Sequence, residues 1–166
     1  MRGRDDVSGF IQSLSGSHRF IMDYLVEEVL ERQPPAVRTF LLETSILDRL
    51  SAPLCDSVTG GTQSQAMLAD LEQRNLFLMP QDDTRRWYRY HHLFGDLLQS
   101  RLLALEAGRI AELHRRASDW YERNDLLAEA MHHAQAAGDT QLQVRLIAQN
   151  VLTMAYYGEL TTLVEW

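Results

Sequence analysis

The residues best placed to do chemistry lie in one run, Arg86-Trp87-Tyr88-Arg89-Tyr90-His91-His92-Leu93-Phe94. His91 and His92 stand where an alternating aromatic stretch gives way to a helical pattern, so they mark a helix start. Free backbone N–H groups and the helix dipole favour an anion at such a place. A protonated imidazole donates from both nitrogens and adds a charge-assisted bond to a phosphate. Arg89 brings a further positive charge close by. The plainer reading is that His91 and His92 cap the helix and bond the preceding hairpin. The residues alone leave both readings open for His91 and favour a structural role for His92.

Other reactive types assemble less well. His132 and His133 are neighbours, about 100° apart on a helix of 3.6 residues per turn, so they cannot share a metal without outside ligands. A partly exposed helix surface is expected for them. Cys55, the single cysteine, excludes an intrachain disulfide and a cysteine-based zinc site. With no base suggested beside it, it reads as a small buried hydrophobe. Glu27-Glu28 and Asp82-Asp83 are adjacent carboxylates, which is not the geometry of a glycosidase or a metal cage; a solvated helix face and a turn account for them. No nucleophile–base pair and no metal set can be built. The fragment is expected to have no catalytic residue, no metal and no enzymatic activity of its own.

Composition agrees with a folded, acidic chain. The 166 residues are 45% hydrophobic and 23% charged, with a formal net charge of −7, which suits one large or two small domains. That charge opposes an extensive DNA-binding surface, although Arg85, Arg86 and Arg89 cluster, as do Arg115 and Arg116. The longest uncharged run, Leu146 to Gly158, falls short of the roughly 18 apolar residues of a membrane span. The start lacks the apolar stretch of a signal peptide. A soluble chain in the reducing cytoplasm is expected.

The elements that must hold the histidines follow from periodicity. Val7, Phe10, Ile11 and Leu14 predict an arm or linker helix over residues 1–16. Phe20, Ile21, Tyr24, Leu25 and Val29 then line one side of a helix whose other side carries Glu27, Glu28 and Glu31. Pro34-Pro35 ends it, and Pro35 suits the first turn of the next helix, which buries Val37, Phe40 and Leu41. Ser51 reads as an N-cap ahead of Leu54 and Val58, and Gly60-Gly61 closes that helix. Thr62-Gln63-Ser64-Gln65 reads as a capping box for a helix burying Met67, Leu68 and Leu71. Leu76 to Met79 and Arg86 to Tyr90 then predict a β-hairpin. Short helices followed by a hairpin predict a winged-helix-like domain over 17–104. Phe94, Leu97, Leu98, Leu102 and Leu105 continue as a helical stripe that Gly108 interrupts. Further stripes at Ile110 to Tyr121, Leu127 to Ala134 and Leu142 to Val151 are separated by Asn124-Asp125, Gly138-Asp139 and Gly158-Glu159. In each break a residue tolerant of the left-handed conformation precedes an acid suited to a helix start. The fold class expected is mainly α, with tetratricopeptide-like solenoid helices over 105–166 following the winged helix. The chain stops inside a helical pattern, as a piece of a longer protein would.

The order of Arg19-Phe20, Tyr24-Leu25, Glu28-Val29-Leu30, Phe40-Leu41-Leu42, Thr44-Ser45-Ile46-Leu47, Asn75-Leu76-Phe77 and Tyr88 to Phe94 resembles the middle of MalT-like regulators of the LuxR class. Those are transcriptional activators of the STAND signalling ATPase group. His114 to Tyr121, Glu129 to Ala134 and Ala137-Gly138-Asp139 resemble the opening of their superhelical repeat domain. The resemblance implies a parent with a P-loop nucleotide domain, a winged helix, a repeat sensor and a C-terminal helix-turn-helix. This sequence has no GxxxxGK[ST] and nothing like the DNA-binding module, so no cofactor is expected within it and ATP or ADP only in the parent. Related STAND proteins carry Met-His-Asp in the winged helix, with the histidine on the β-phosphate of ADP. Tyr90-His91-His92 resembles it and places His91 on the sensing histidine; His92 departs from the acid.

Two readings follow. One is a regulatory fragment of an ATP-dependent MalT-like regulator, packed on its own nucleotide domain, with an unknown inducer or protein partner on the repeats and self-association on release. The other is an autonomous protein–protein interaction module with no nucleotide role. Direct DNA contact is not expected. The helix before the hairpin carries Asp70 and Glu72 against Arg74 alone, and a DNA-reading winged helix would place that helix against phosphates.

Overall fold

The computed structural model describes residues 20, 21 and 24–156, with side chains as far as residue 150. The arm expected over 1–16 and the Gly158-Glu159 break lie outside the described residues. In chain order the elements are α1 (Leu25–Leu30), α2 (Pro35–Thr44), α3 (Ala52–Thr59), α4 (Ser64–Gln73), β1 (Leu78–Pro80), β2 (Tyr88–Tyr90), α5 (His92–Arg123), α6 (Leu127–Ala136) and α7 (Thr140–Tyr156). The fold is mainly α with one hairpin, a winged helix followed by packed helices, as the periodicity predicts. α1 is wound as a π-helix.

The apolar face expected on the first helix is only partly inside. Leu25, Val26 and Leu30 are buried, whereas Phe20, Ile21 and Tyr24 are exposed. Because the wider π-turn takes more residues per revolution than an α-turn, the side that meets the core shifts along α1. α2 is enclosed on almost every side: Val37, Phe40, Leu41, Leu42 and even Glu43 and Thr44 are buried. Around it Leu50, Leu54, Val58, Leu68, Leu71, Phe94 and Leu98 close a continuous core. Each fully buried side chain of this size contributes about 1.5–3 kcal/mol, more than an end-cap, so the core decides where the helices lie.

The sheet has one feature the sequence pattern does not announce. β1 and β2 pair antiparallel with Leu78 opposite Tyr90 and Pro80 opposite Tyr88. On its other edge Tyr88 exchanges two backbone hydrogen bonds with Leu50, each 2.8 Å. β2 is therefore a central strand, and Pro80 sits on the edge where a missing N–H costs no ladder bond. Along β2 the burial alternates, Tyr88 and Tyr90 inside and Arg89 outside.

Four local expectations are corrected. Ser51 occupies the N-cap position of α3, but its buried hydroxyl bonds nothing. The Thr62-to-Gln65 capping box does not form. Instead the Ser64 amide donates to Asp56 Oδ1 at 3.0 Å, so a carboxylate from α3 caps α4 across the Gly60-Gly61 turn, and Gly60 takes the left-handed conformation that lets the chain reverse there. The interruption expected at Gly108 falls two residues earlier, at Glu106, whose non-helical backbone kinks α5 before it runs on to Arg123. Leu105, expected inside, is exposed, because beyond Leu102 the helix has left the core of the winged helix.

The two turns that follow are tight. Asp125, rather than Asn124, takes the left-handed conformation before α6. Gly138 takes it before α7, and Asp139 Oδ1 accepts the Leu142 amide at 3.0 Å. Small residues at the contact, Ala117, Ser118, Ala130 and Ala134, are fully buried, and Ser118 Oγ donates to the Ala130 carbonyl at 2.8 Å, stitching α5 to α6. The caps give a direct test. Asp56→Ala is expected to cost about 1 kcal/mol of stability in urea unfolding. Ser51→Ala removes only an unpaired buried hydroxyl and is expected to be neutral or stabilising.

Candidate functional site

The junction of β2 and α5 is held from three directions. Phe77 adopts a left-handed conformation, φ +54°, which for a bulky residue costs about 1–2 kcal/mol. In that posture its carbonyl accepts the His91 amide at 2.7 Å. Its ring lies 5.2 Å from that of Phe94. Tyr90, wholly inside, meets Phe94 edge-on at 6.0 Å, and its hydroxyl lies 2.8 Å from Thr44 Oγ1. Since Thr44 donates its own proton to the Phe40 carbonyl, the Tyr90 hydroxyl donates to Thr44. Burial pushes the Tyr90 phenol far above its usual range.

His91 is the N-cap residue of α5 by position, with no side-chain cap bond. Its carbonyl accepts the Gly95 amide at 2.9 Å, which opens the helix. The His91 and His92 rings lie 4.4 Å apart, tilted by 32°. A recess of about 360 Å³ opens at this helix start, lined by Ser45, Asp48, Arg89, His92, Asp96 and Gln99 among others. The structure thus brings Arg89 and His92 together in the lining of the recess, while His91, against His92, does not line it. Asp48 and Asp96 place two carboxylates in the same walls, which sequence spacing did not foretell.

A second cluster lies between α5 and α6. His133, expected on a partly exposed surface, is buried. Its Nδ1 lies 2.8 Å from His114 Nδ1, and the Tyr121 ring stacks on it at 5.3 Å and 11°. One imidazole must carry a proton on Nδ1 and the other must present a lone pair, so the accepting ring is neutral when the bond is intact. Burial pushes His133 down to about 3, aided by His114 and His132, and His114 is lowered by burial and by His132. The pair was hidden in the sequence because the partner lies 19 residues away on another helix. His132 lines a different recess with His114. No group of three or more His, Cys, Asp or Glu able to hold a metal occurs among the described residues. Cys55 is fully buried, with its thiol pushed up by that burial, and is inert. No helix among the described residues is long and apolar enough to cross a membrane.

A body of four short helices closed by a hairpin, continued by a long helix into further packed helices, is a winged-helix arrangement. Residues 26–111 match the MalT winged helix domain, and the chain belongs to that family. It is 39% identical over 163 residues to the serine/threonine-protein kinase PknK of Mycobacterium tuberculosis strain H37Rv, and equally to that of Mycobacterium bovis. The alignment takes in 98% of this chain and 15% of each relative, so the chain spans about a seventh of the length of those proteins.

The buried imidazole pair sets a pH dependence. Between about pH 3 and 6.5 the unfolded chain binds a proton at residue 133 that the folded chain refuses, so stability falls as the pH drops below 6.5. The loss is expected to reach about 2 kcal/mol by pH 5, above the range in which Asp82 and Asp139, both held low by hydrogen bonds, titrate. Urea unfolding followed from pH 7 to pH 5 measures it. His133→Leu, which binds no proton in either state, is expected to flatten that slope.

Proposed function

We propose that this chain is the regulatory middle of a MalT-like signalling protein, with its winged helix packed as a lid on a nucleotide-binding domain of the same polypeptide. Membership of the MalT winged helix family over residues 26–111 carries this reading. Arg89, His92 and the first amides of α5 are donors suited to a phosphate, while Asp48 and Asp96 in the same lining repel an anion. Bound ADP would supply the phosphate charge. His91, its amide held by the Phe77 carbonyl and its ring beside that of His92, would be the further donor. On this reading loss of the phosphate contact frees the lid, and the helices from α5 onward meet an inducer, a protein partner or a second copy. The cytoplasm is the compartment this role requires.

The output of such a protein is transcriptional in the LuxR class. The relatives here are named as serine/threonine kinases, so a second output is phosphorylation governed by the same regulatory segment. The chain itself has no G-x-G-x-x-G, His-Arg-Asp or Asp-Phe-Gly run and would regulate either output rather than perform it. The test is the nucleotide content of a purified protein that carries this segment with its P-loop domain, denatured and chromatographed. ADP is expected in the wild type and lost, or exchanged about tenfold faster, in His91→Ala. Equal retention reduces His91 to a helix start. No nucleotide in either protein overturns the lid and leaves an interaction module.

A further inference from the structure

α5 is two helical stretches joined across a kink at Glu106. Phe94, Leu97, Leu98 and Leu102 are buried in the first stretch, and Leu113, Ala117, Ser118 and Tyr121 in the second, where Ser118 bonds α6 and Arg116 bonds α3. Between them every residue from 103 to 109 is exposed. In the middle of that stretch Glu106 leaves helical geometry, at φ −140° and ψ 42°, and Gly108 has open space where a side chain would be. Below the bend lies a recess of about 370 Å³, lined by Ile46 and Asp48 of the winged helix, Leu102 before the break, and Ile110 and His114 after it. A helix segment with little buried surface, a residue out of helical geometry and empty volume on its inner side opens at low cost.

The two halves are fastened across this bend by directional contacts. Next to the break, Arg109 reaches the buried carboxylate of Glu43 on α2. The contact lacks hydrogen-bond alignment, because Glu43 Oε1 has no such partner, and burial still holds the Glu43 carboxyl above its usual range despite Arg109. Further along, Trp87 of the hairpin meets Trp120 edge-on at 6.4 Å. Arg49 lies 5.0 Å over the Trp87 ring and 3.7 Å from Glu129 of α6. Such contacts have few equivalent positions and can release as a unit, unlike an apolar seam.

We propose that α5 is a hinged lever, with its pivot at residues 103–109 and releasable fastenings at Glu43–Arg109 and Arg49–Trp87–Trp120, beside the Arg116 bond to the Val58 carbonyl, that set the tilt of its second half and α6 against the winged helix. Leu113 and Ala117 stay in the core and act as the bearing, so the motion is a tilt into the recess and not a detachment. The lever stands whether or not a nucleotide binds, since no part of it involves His91 or His92.

Two measurements on the 166-residue chain test it. Hydrogen exchange of the unaltered chain is expected to show amides 103–109 exchanging about 100-fold faster than those of 94–102 and 113–121. Equal protection along α5 makes it a rigid strut and overturns the proposal. For the fastenings, spin labels at Gln65→Cys and Gln135→Cys, both exposed sites, report the angle, with buried Cys55 left in place. One narrow distance population is expected in that background. A second population, or a distribution about twice as wide, is expected after Arg109→Ala or Arg49→Gln. Gly108→Ala added to either variant stiffens the pivot and is expected to narrow the distribution again. Distances unchanged in both fastening variants, with helical circular dichroism intact, refute the fastenings. Should a variant unfold, the exchange pattern of the unaltered chain still decides the pivot.

Discussion

The architecture turns on one buried hydrogen bond, from the Tyr90 hydroxyl to Thr44. A phenol can be taken wholly out of water only if its O–H finds an acceptor. Here the acceptor is on α2, already oriented by its own bond to the Phe40 carbonyl. The bond thereby fixes β2 on α2, and the ring of Tyr90 fixes β2 on α5 through Phe94. With Tyr90 settled, Tyr88 is left to meet Leu50 by backbone and Glu72 by hydroxyl, and His91 is left at the helix start. The candidate site is thus a by-product of how one tyrosine is satisfied.

Arginine governs what lies outside this core. All sixteen cationic side chains of the sequence other than histidine are arginine, and several of them join elements distant in sequence. Arg116 donates to the Val58 carbonyl at 3.2 Å, Arg115 to Asp139 at 2.8 Å, and Arg145 to Glu122 at 2.8 Å. A guanidinium offers a planar fork that can serve a carbonyl, a carboxylate and an aromatic face at once. Half-exposed pairs of this kind are worth at most about 1 kcal/mol each. They orient the helices after the bend more than they stabilise them, and an orientation set by weak contacts is one that a partner can reset.

How much of this could be read from the residues depended on distance along the chain. The change from helical to alternating period at Leu76 to Tyr90 announced the hairpin, and the burial of Tyr88 and Tyr90 followed from alternation alone. Gly138-Asp139 announced its turn because both signals are local. Asp56 as the cap of α4 did not announce itself: it acts eight residues away, past a turn whose geometry had to be known first. The pairing of Leu50 with Tyr88 is a single residue long and has no periodicity to detect. His133 was misplaced because adjacency to His132 said nothing about which of the two faces α5. The break at Glu106 carries no proline, and its only local sign, Gly108, lies two residues on. Packing, which lapses from residue 103 to 109, is what locates it. The recess around Arg89 and His92 needed Asp48 and Gln99, which belong to a loop and to a helix more than forty residues apart.

Charge decides what kind of winged helix this is. In one that reads DNA, the helix before the hairpin must bring cations to phosphates. On α4 the exposed positions include Gln65, Ala66 and Ala69. The nearest cation, Arg74, already donates to Asp70 at 2.9 Å and also bonds Gln33. On the wing Arg85 leans on Glu72 at 3.4 Å, which leaves Arg86 and Arg89 as exposed charges on a chain of net −7. On the reading proposed above, the two serve a single phosphate or a carboxylate on a neighbouring domain, which suits an acidic chain better than a duplex does.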